Sequence, residues 1–169
     1  MLASGSAQLP GERLPMSNEP RSEAAGLLSY RLEVPIQASA SVVWHALTQE
    51  LSSWWPPDFH VVAPDSEIEL EPVAGGALRE LTAGGASLLW YTVQMVIPGE
   101  RLHLVGHIAP RWGGPITSML ELKLASTAGT CVLHVSDALV GGVSEQHASM
   151  QREGWIRVFE GGLKAHVES

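Results

Sequence analysis

Residues 141–169 read GGVSEQHASMQREGWIRVFEGGLKAHVES, and within them Trp155, Phe159, Leu163 and Val167 recur at a spacing of four. Ala148 and Arg152 extend the same stripe backward. Apolar residues at that interval share one face of a helix. Glu153, Arg157, Glu160 and Lys164 occupy other faces, and Glu153–Arg157 and Glu160–Lys164 both run acid before base, the favourable order. Gly161-Gly162 interrupts the stripe at about 1 kcal/mol per glycine against alanine, so close packing, most simply on a sheet, has to offset it. The spacing predicts a long, one-sided C-terminal helix that needs a broad apolar partner.

The preceding residues supply that partner. Tyr30, Leu32, Val34 and Ile36 alternate with mostly polar residues, the period of a half-buried strand. Ser39 then reads as an N-cap for a helix carrying Val43, Leu47 and Leu51, which ends after Trp54-Trp55 at Pro56-Pro57. Three hairpins follow. Ile68–Glu71 and Ala77–Leu81 flank Ala74-Gly75-Gly76; Leu88–Ile97 and Arg101–His107 flank Pro98-Gly99-Glu100; Thr117–Leu124 and Cys131–Val135 flank Thr127-Ala128-Gly129. The sequence therefore predicts an α+β domain: strand, helix, six strands, long helix, with seven antiparallel strands in one sheet.

A chain of 169 residues is one domain's worth, with room for a tail. Residues 1–26 hold four Ser, three Pro and three Gly with no periodicity, and read as a flexible leader before a domain at 27–169. Met16 within it is an alternative start, and the opening residues lack the basic-then-apolar pattern of a secretory signal. With 45% hydrophobic and 17% charged residues, the chain is not a disordered one. Six of its ten aromatic residues are Trp, which suggests large apolar walls. A net charge of −8 argues against nucleic acid or an anionic membrane as partner. No apolar run is long enough for an integral membrane segment, and a single cysteine, Cys131, fits a reducing cytoplasm.

Familiar catalytic motifs are missing. There is no phosphate-binding loop, dinucleotide fingerprint, GxSxG elbow or HExxH, and His103 and His107 would stand about 13 Å apart on a strand, too far for one metal. The expectation is no cofactor and no metal. Three features remain. His134 lies in the last strand and, if its face is the inner one, points inward as donor, acceptor or general base; otherwise it is a satisfied structural histidine. Of Arg79 and Glu80, one faces inward as a ligand anchor or half of a buried pair, unless both sit at an exposed strand end. Trp54, Trp90, Trp112 and Trp155 line a pocket or simply fill the core. Asp58, Asp65, Glu67, Glu69 and Glu71 read as a solvated face rather than a cation site.

An ordered set of local patterns resembles the START/SRPBCC superfamily of Bet v-like helix-grip proteins. Within it the likeness is to homologues of the activator of the heat-shock protein 90 ATPase. The matching residues are Val34-Pro35-Ile36-Gln37-Ala38, Val43-Trp44-His45-Ala46-Leu47-Thr48, Trp54-Trp55, Pro98-Gly99-Glu100-Arg101-Leu102, Gly129-Thr130, and Gly154-Trp155 with Phe159 and Leu163. The resemblance spans residues 28–168 and implies a curved sheet wrapped round the C-terminal helix, enclosing an apolar cavity. Members bind lipids, sterols or polyketides; a minority catalyse cyclisation or dehydration, and the co-chaperone itself binds its ATPase. His134 stands where the family usually has an apolar inward residue, Ser136 where it has a histidine, and the co-chaperone's extra N-terminal domain has no counterpart here.

The expected function is that of a cytoplasmic protein binding an apolar small molecule through His134, Trp54, Trp90, Trp112, Trp155, Phe159 and Arg79. The alternatives are a polyketide-cyclase-like enzyme using the cavity histidine, and a protein-interaction module with a protein partner. The oligomeric state stays open.

Overall fold

A computed structural model describes Ser22 and residues 24–169. The leader assigned to residues 1–26 falls almost entirely outside the described residues. Seven strands form one antiparallel sheet: β1 (Gly26–Ile36), β2 (Glu67–Leu70), β3 (Ala77–Leu81), β4 (Ser87–Ile97), β5 (Arg101–Ile108), β6 (Ile116–Thr127) and β7 (Thr130–Gly141). Their spatial order is β1-β7-β6-β5-β4-β3-β2. Sequential hairpins account for every neighbour except β1, which pairs with β7 from Gly26 opposite Gly141 to Ile36 opposite Cys131. Helices α1 (Ala40–Gln49) and α2 (Leu51–Trp54) carry the chain from one sheet edge to the other. Ser39 caps α1, its hydroxyl accepting the Val42 N–H, as its sequence position predicts.

The predicted strands are present, but β6 and β7 run longer than the apolar alternation suggested. β7 continues six residues past Val135, through Asp137 and Leu139, whose side chains are buried. On it Cys131, Leu133, Val135, Asp137 and Leu139 face the interior, while Val132, His134 and Ser136 face out. One hydrophobic core gathers Cys131, Leu133 and Val135 of this face with Val34, Ile36, Leu120, Val158 and Leu163, all nearly inaccessible.

The C-terminal helix begins as α3 (Glu145–Ile156), widens into a π-helical stretch (Arg157–Lys164) and closes with the short turn α4 (Ala165–Val167). A strict spacing of four overshoots an α-helical turn by about 40° per step. The wider π turn absorbs that drift and keeps Trp155, Phe159 and Leu163 on the sheet side, joined by Val158 and Gly162. Arg152, placed on the stripe by spacing alone, is exposed.

The glycine pair is explained by α2 rather than by the sheet. A Cβ on Gly162 would stand 2.7 Å from the Trp54 carbonyl oxygen and 3.1 Å from its ring, whereas Gly161 faces open space. Gly162→Ala is therefore expected to cost about 1–3 kcal/mol through overpacking. Gly161→Ala should be neutral or stabilise by up to about 1 kcal/mol. Thermal unfolding of the two variants checks this; similar shifts would mean that the helix does not press on α2 at Gly162.

Candidate functional site

At one end of the sheet the core gives way to an aromatic cleft of about 270 Å³, lined by Trp55, Phe59, Trp90, Trp112 and Trp155 among others. An adjoining lobe of about 320 Å³ shares Phe59, Trp90, Trp112 and Trp155 with it and adds Tyr91 and Leu89. Each wall has a local cause. Phe59 sits on a 3₁₀ turn (Pro57–Phe59) started by the Pro56-Pro57 break, and Trp112 on another (Pro110–Trp112) that follows β5.

The decisive irregularity is in β4. Arg79 pairs with Leu89 and Leu78 with Tyr91, so Trp90 is an extra residue, a β-bulge. A bulge re-aims side chains, and here consecutive residues Trp90 and Tyr91 both reach the cleft. Gly106 on the neighbouring strand makes room: a Cβ there would lie 2.5 Å from the Trp90 carbonyl oxygen and 2.9 Å from the Tyr91 ring. Trp155 packs between Tyr91 (ring centroids 5.9 Å apart) and Phe159 (5.3 Å, stacked).

Several polar atoms border this space without partners. The indole N–H of Trp90 and Nδ1 of His147 are buried and make no hydrogen bond. Both residues line the cleft, as does Gln151. Behind its floor lies a polar cluster. Asp137, two positions along the same strand face from the cleft-lining Leu139, is buried. Its carboxylate accepts the hydroxyls of Tyr30 at 2.8 Å and Ser118 at 2.7 Å, and the Tyr91 hydroxyl lies 2.9 Å from that of Ser118. The Trp155 indole N–H faces the same carboxylate without closing a full hydrogen bond. Burial pushes the Asp137 pKa up and outweighs the hydrogen bonds from Ser118, Tyr30, Trp155 and the Ala138 N–H that favour the charged form. Burial likewise raises Tyr91 and Tyr30, with Asp137's charge adding to both.

Of the residues expected at the site, Trp90, Trp112 and Trp155 line the cleft. Trp54 and Phe159 sit deeper, bordering a void of about 20 Å³, room for one water at most. The Trp54 indole N–H is already satisfied by the Ala46 carbonyl. His134 is corrected. Its neighbours across the strands are Glu33 and Lys123, and Nδ1 lies 3.2 Å from the Glu33 carboxylate on the outer face. The more apolar parity of β7 claims the interior and leaves His134 outside. Arg79 is corrected too: it is exposed and pairs with Glu69 at 3.1 Å. Its neighbour Glu80 is the inward group, fully buried, accepting the N–H groups of Val61 and Val62 and the Ser66 hydroxyl. Asp137, Trp55 and Phe59 escaped the sequence reading.

Residues 37–168 match the family described as activator of Hsp90 ATPase homolog 1-like protein. The chain belongs to this family. As a member of it, the protein shares its fold with solved structures of low sequence identity. A Chromobacterium violaceum protein is 21% identical, with a TM-score of 0.62 over 83% of this chain and 97% of that one. Norcoclaurine synthase from Thalictrum, solved with a transition-state analogue, is 14% identical with a TM-score of 0.57, covering 86% of this chain and 97% of its own. The Aha1 dimer from Colwellia psychrerythraea is 16% identical with a TM-score of 0.56, covering 83% and 96%. These likenesses establish the helix-grip fold. No curated protein matches the chain. Among the described residues, no helix is long and apolar enough to cross a membrane.

Proposed function

We propose that this member of the family is a cytoplasmic binding protein for a planar, apolar small molecule, with the aromatic cleft as its site. One observation carries the reading: five aromatic side chains line an accessible space, and two residues along it, Trp90 and His147, hold buried ring nitrogens without hydrogen-bond partners. Apolar walls with a few oriented polar groups are what a small-molecule site requires. An unmet buried donor costs about 1–3 kcal/mol, a cost that an acceptor atom on a ligand removes. The site is therefore an open-ended cleft beside a packed core rather than the enclosed cavity that the family resemblance implied, and the polar residues along it are Trp90, His147 and Gln151 rather than His134.

The neutral naphthalene ketone prodan, whose emission reports its surroundings, tests this. Saturable one-to-one binding with a blue-shifted emission is expected. Trp112→Ala, which removes an exposed wall, should weaken binding by about 1 kcal/mol, roughly fivefold. His134→Leu should leave affinity unchanged, because the imidazole is on the far face of the sheet. Absence of a saturable site, together with no ligand seen by native mass spectrometry of the purified protein, would sink the reading in favour of the interaction module. An enzymatic reading stands second, favoured by the buried Asp137 cluster. It requires turnover that is lost in Asp137→Asn while binding persists.

A further inference from the structure

The hydroxyl protons behind the cleft can be assigned one by one. Asp137 accepts from Tyr30 through one carboxylate oxygen and from Ser118 through the other. A hydroxyl carries one proton, so with Asp137 ionised the Ser118 proton is committed to the carboxylate. Ser118 then serves Tyr91 only as an acceptor, and the Tyr91 proton points back toward Ser118, 2.9 Å away. In this state Tyr91 presents lone pairs alone on its remaining side, where the cleft-lining Gln151 is the other polar group. Protonating Asp137 on the oxygen facing Ser118 reverses the chain. Asp137 donates to Ser118, Ser118 donates to Tyr91, and the Tyr91 proton is freed on its remaining side, beside the cleft-lining Gln151.

We propose that Asp137, Ser118 and Tyr91 form a switchable hydrogen-bond chain that turns Tyr91 into a donor when Asp137 is protonated, so that the cleft selects aromatic ligands bearing a carbonyl oxygen and takes up one proton as they bind. The proposal rests on the binding reading above and adds the ligand's chemistry and its coupling to pH. The one covalent change is the O–H bond formed on Asp137, whose proton comes from solvent; Ser118 and Tyr91 keep their own protons and only reorient them. The titratable and charged groups facing Asp137 are Tyr30 from β1, Tyr91 from β4 and, beyond Tyr30, Arg152 from α3; β6 contributes the uncharged Ser118 and α3 the Trp155 indole. Both tyrosines stay neutral throughout, since burial and Asp137's charge raise them, so Asp137 is the group that titrates. Its own burial, the largest influence on it, moves it toward the range in which ligand binding can add a proton.

The test compares prodan with its analogue in which a propyl group replaces the propionyl, the same skeleton without the carbonyl. Affinities are measured between about pH 5 and about pH 8, with proton uptake read by calorimetry in two buffers of different ionisation enthalpy. Prodan should bind more tightly as pH falls, approaching about tenfold per pH unit above the Asp137 pKa, with up to one proton taken up. Its emission should shift to the red on acidification as Tyr91 donates to the ketone. The propyl analogue should bind with no pH dependence. Tyr91→Phe and Ser118→Ala should each remove the pH dependence and the red shift for prodan while leaving the analogue's affinity within about twofold. Asp137→Asn, whose amide donates to Ser118 at every pH, should fix the red-shifted, tighter-binding state; should it fail to fold, the other two variants carry the test. If both probes bind with the same pH profile, or if prodan keeps its pH dependence in Tyr91→Phe, the proposal is overturned while the binding reading stands. If neither probe binds, both fall.

Discussion

Trp155→Ala is expected to lower the stability of the fold by about 3–5 kcal/mol, the largest loss from any single truncation in the cleft wall. The indole is 7% exposed, stacks on Phe159, leans on Tyr91 and shields Asp137. Removing it costs the transfer energy of a large aromatic group and leaves a space that ordering cannot close, because β4, β6 and the helix meet there. Trp112 offers the contrast. It is 45% exposed on a surface turn, with the Arg111 guanidinium 4.7 Å above its ring, so Trp112→Ala should cost less than about 1 kcal/mol of stability. Urea denaturation at neutral pH checks the pair. Equal losses would show that Trp155 is not the joint between helix and sheet.

That joint was legible in the sequence because two periods meet at it. Alternation in Leu120, Leu122 and Leu124 and the four-residue step from Trp155 to Leu163 are consequences of backbone geometry, and burial of one face enforces both. The same reasoning hid Asp137. An acid in the run Leu133, Val135, Asp137, Leu139 looks like the end of a strand, since burying a carboxyl alone is costly. Only tertiary structure brings Tyr30 and Ser118, 107 and 19 residues away, to offset that cost. The parity itself was available: three of the four positions facing inward with Asp137 are strongly apolar, while His134 shares its face with Val132 and Ser136.

The cleft was masked for a different reason. Leu88 to Ile97 carries apolar residues on both parities, which by itself suggests a strand covered on both faces. A second bulge at Gln94 shifts the register again toward Ile97, and the cause at the cleft end is the bulge at Trp90. It slips the register by one residue, so that apolar side chains of both parities are used on one side of the sheet, at the cleft end. Bulges depend on which residue a partner strand places opposite, and that is a tertiary fact. Likewise the adjacent charges Arg79 and Glu80 are ambiguous until the β2 neighbour Glu69 takes Arg79 outward.

Glu80→Ala is expected to be the second most costly change, about 2–4 kcal/mol, although Glu80 does not itself line the cleft. Its carboxylate gathers the Val61 and Val62 N–H groups and the Ser66 hydroxyl, and so holds down the segment that follows Phe59. The one Ser66 proton is shared between two acceptors, the Glu80 carboxylate and the Ala63 carbonyl, and His60 Nδ1 lies 2.9 Å from the same hydroxyl. Without the carboxylate the two N–H groups lose their acceptor and Ser66 keeps only the Ala63 carbonyl. Val61 lies near solvent, so water recovers part of the loss and keeps the cost below the sum of the bonds. Burial alone would raise the Glu80 pKa, but the hydrogen bonds from Ser66 and from the Val61, Val62 and Ala63 N–H groups outweigh it and hold the group below its ordinary value of 4.5. A depressed carboxylate stabilises the fold fully above its unfolded pKa and loses that contribution as pH falls through the folded one. The gap in stability between wild type and Glu80→Ala should therefore be constant near neutrality and shrink on acidification below about pH 4.5. Denaturation at a series of pH values measures it. A gap that widens with acid would place the charge on the wrong side of the balance. Because Phe59 and Val61 border the cleft, prodan should also bind Glu80→Ala more weakly, as the loosened segment no longer holds that wall in place.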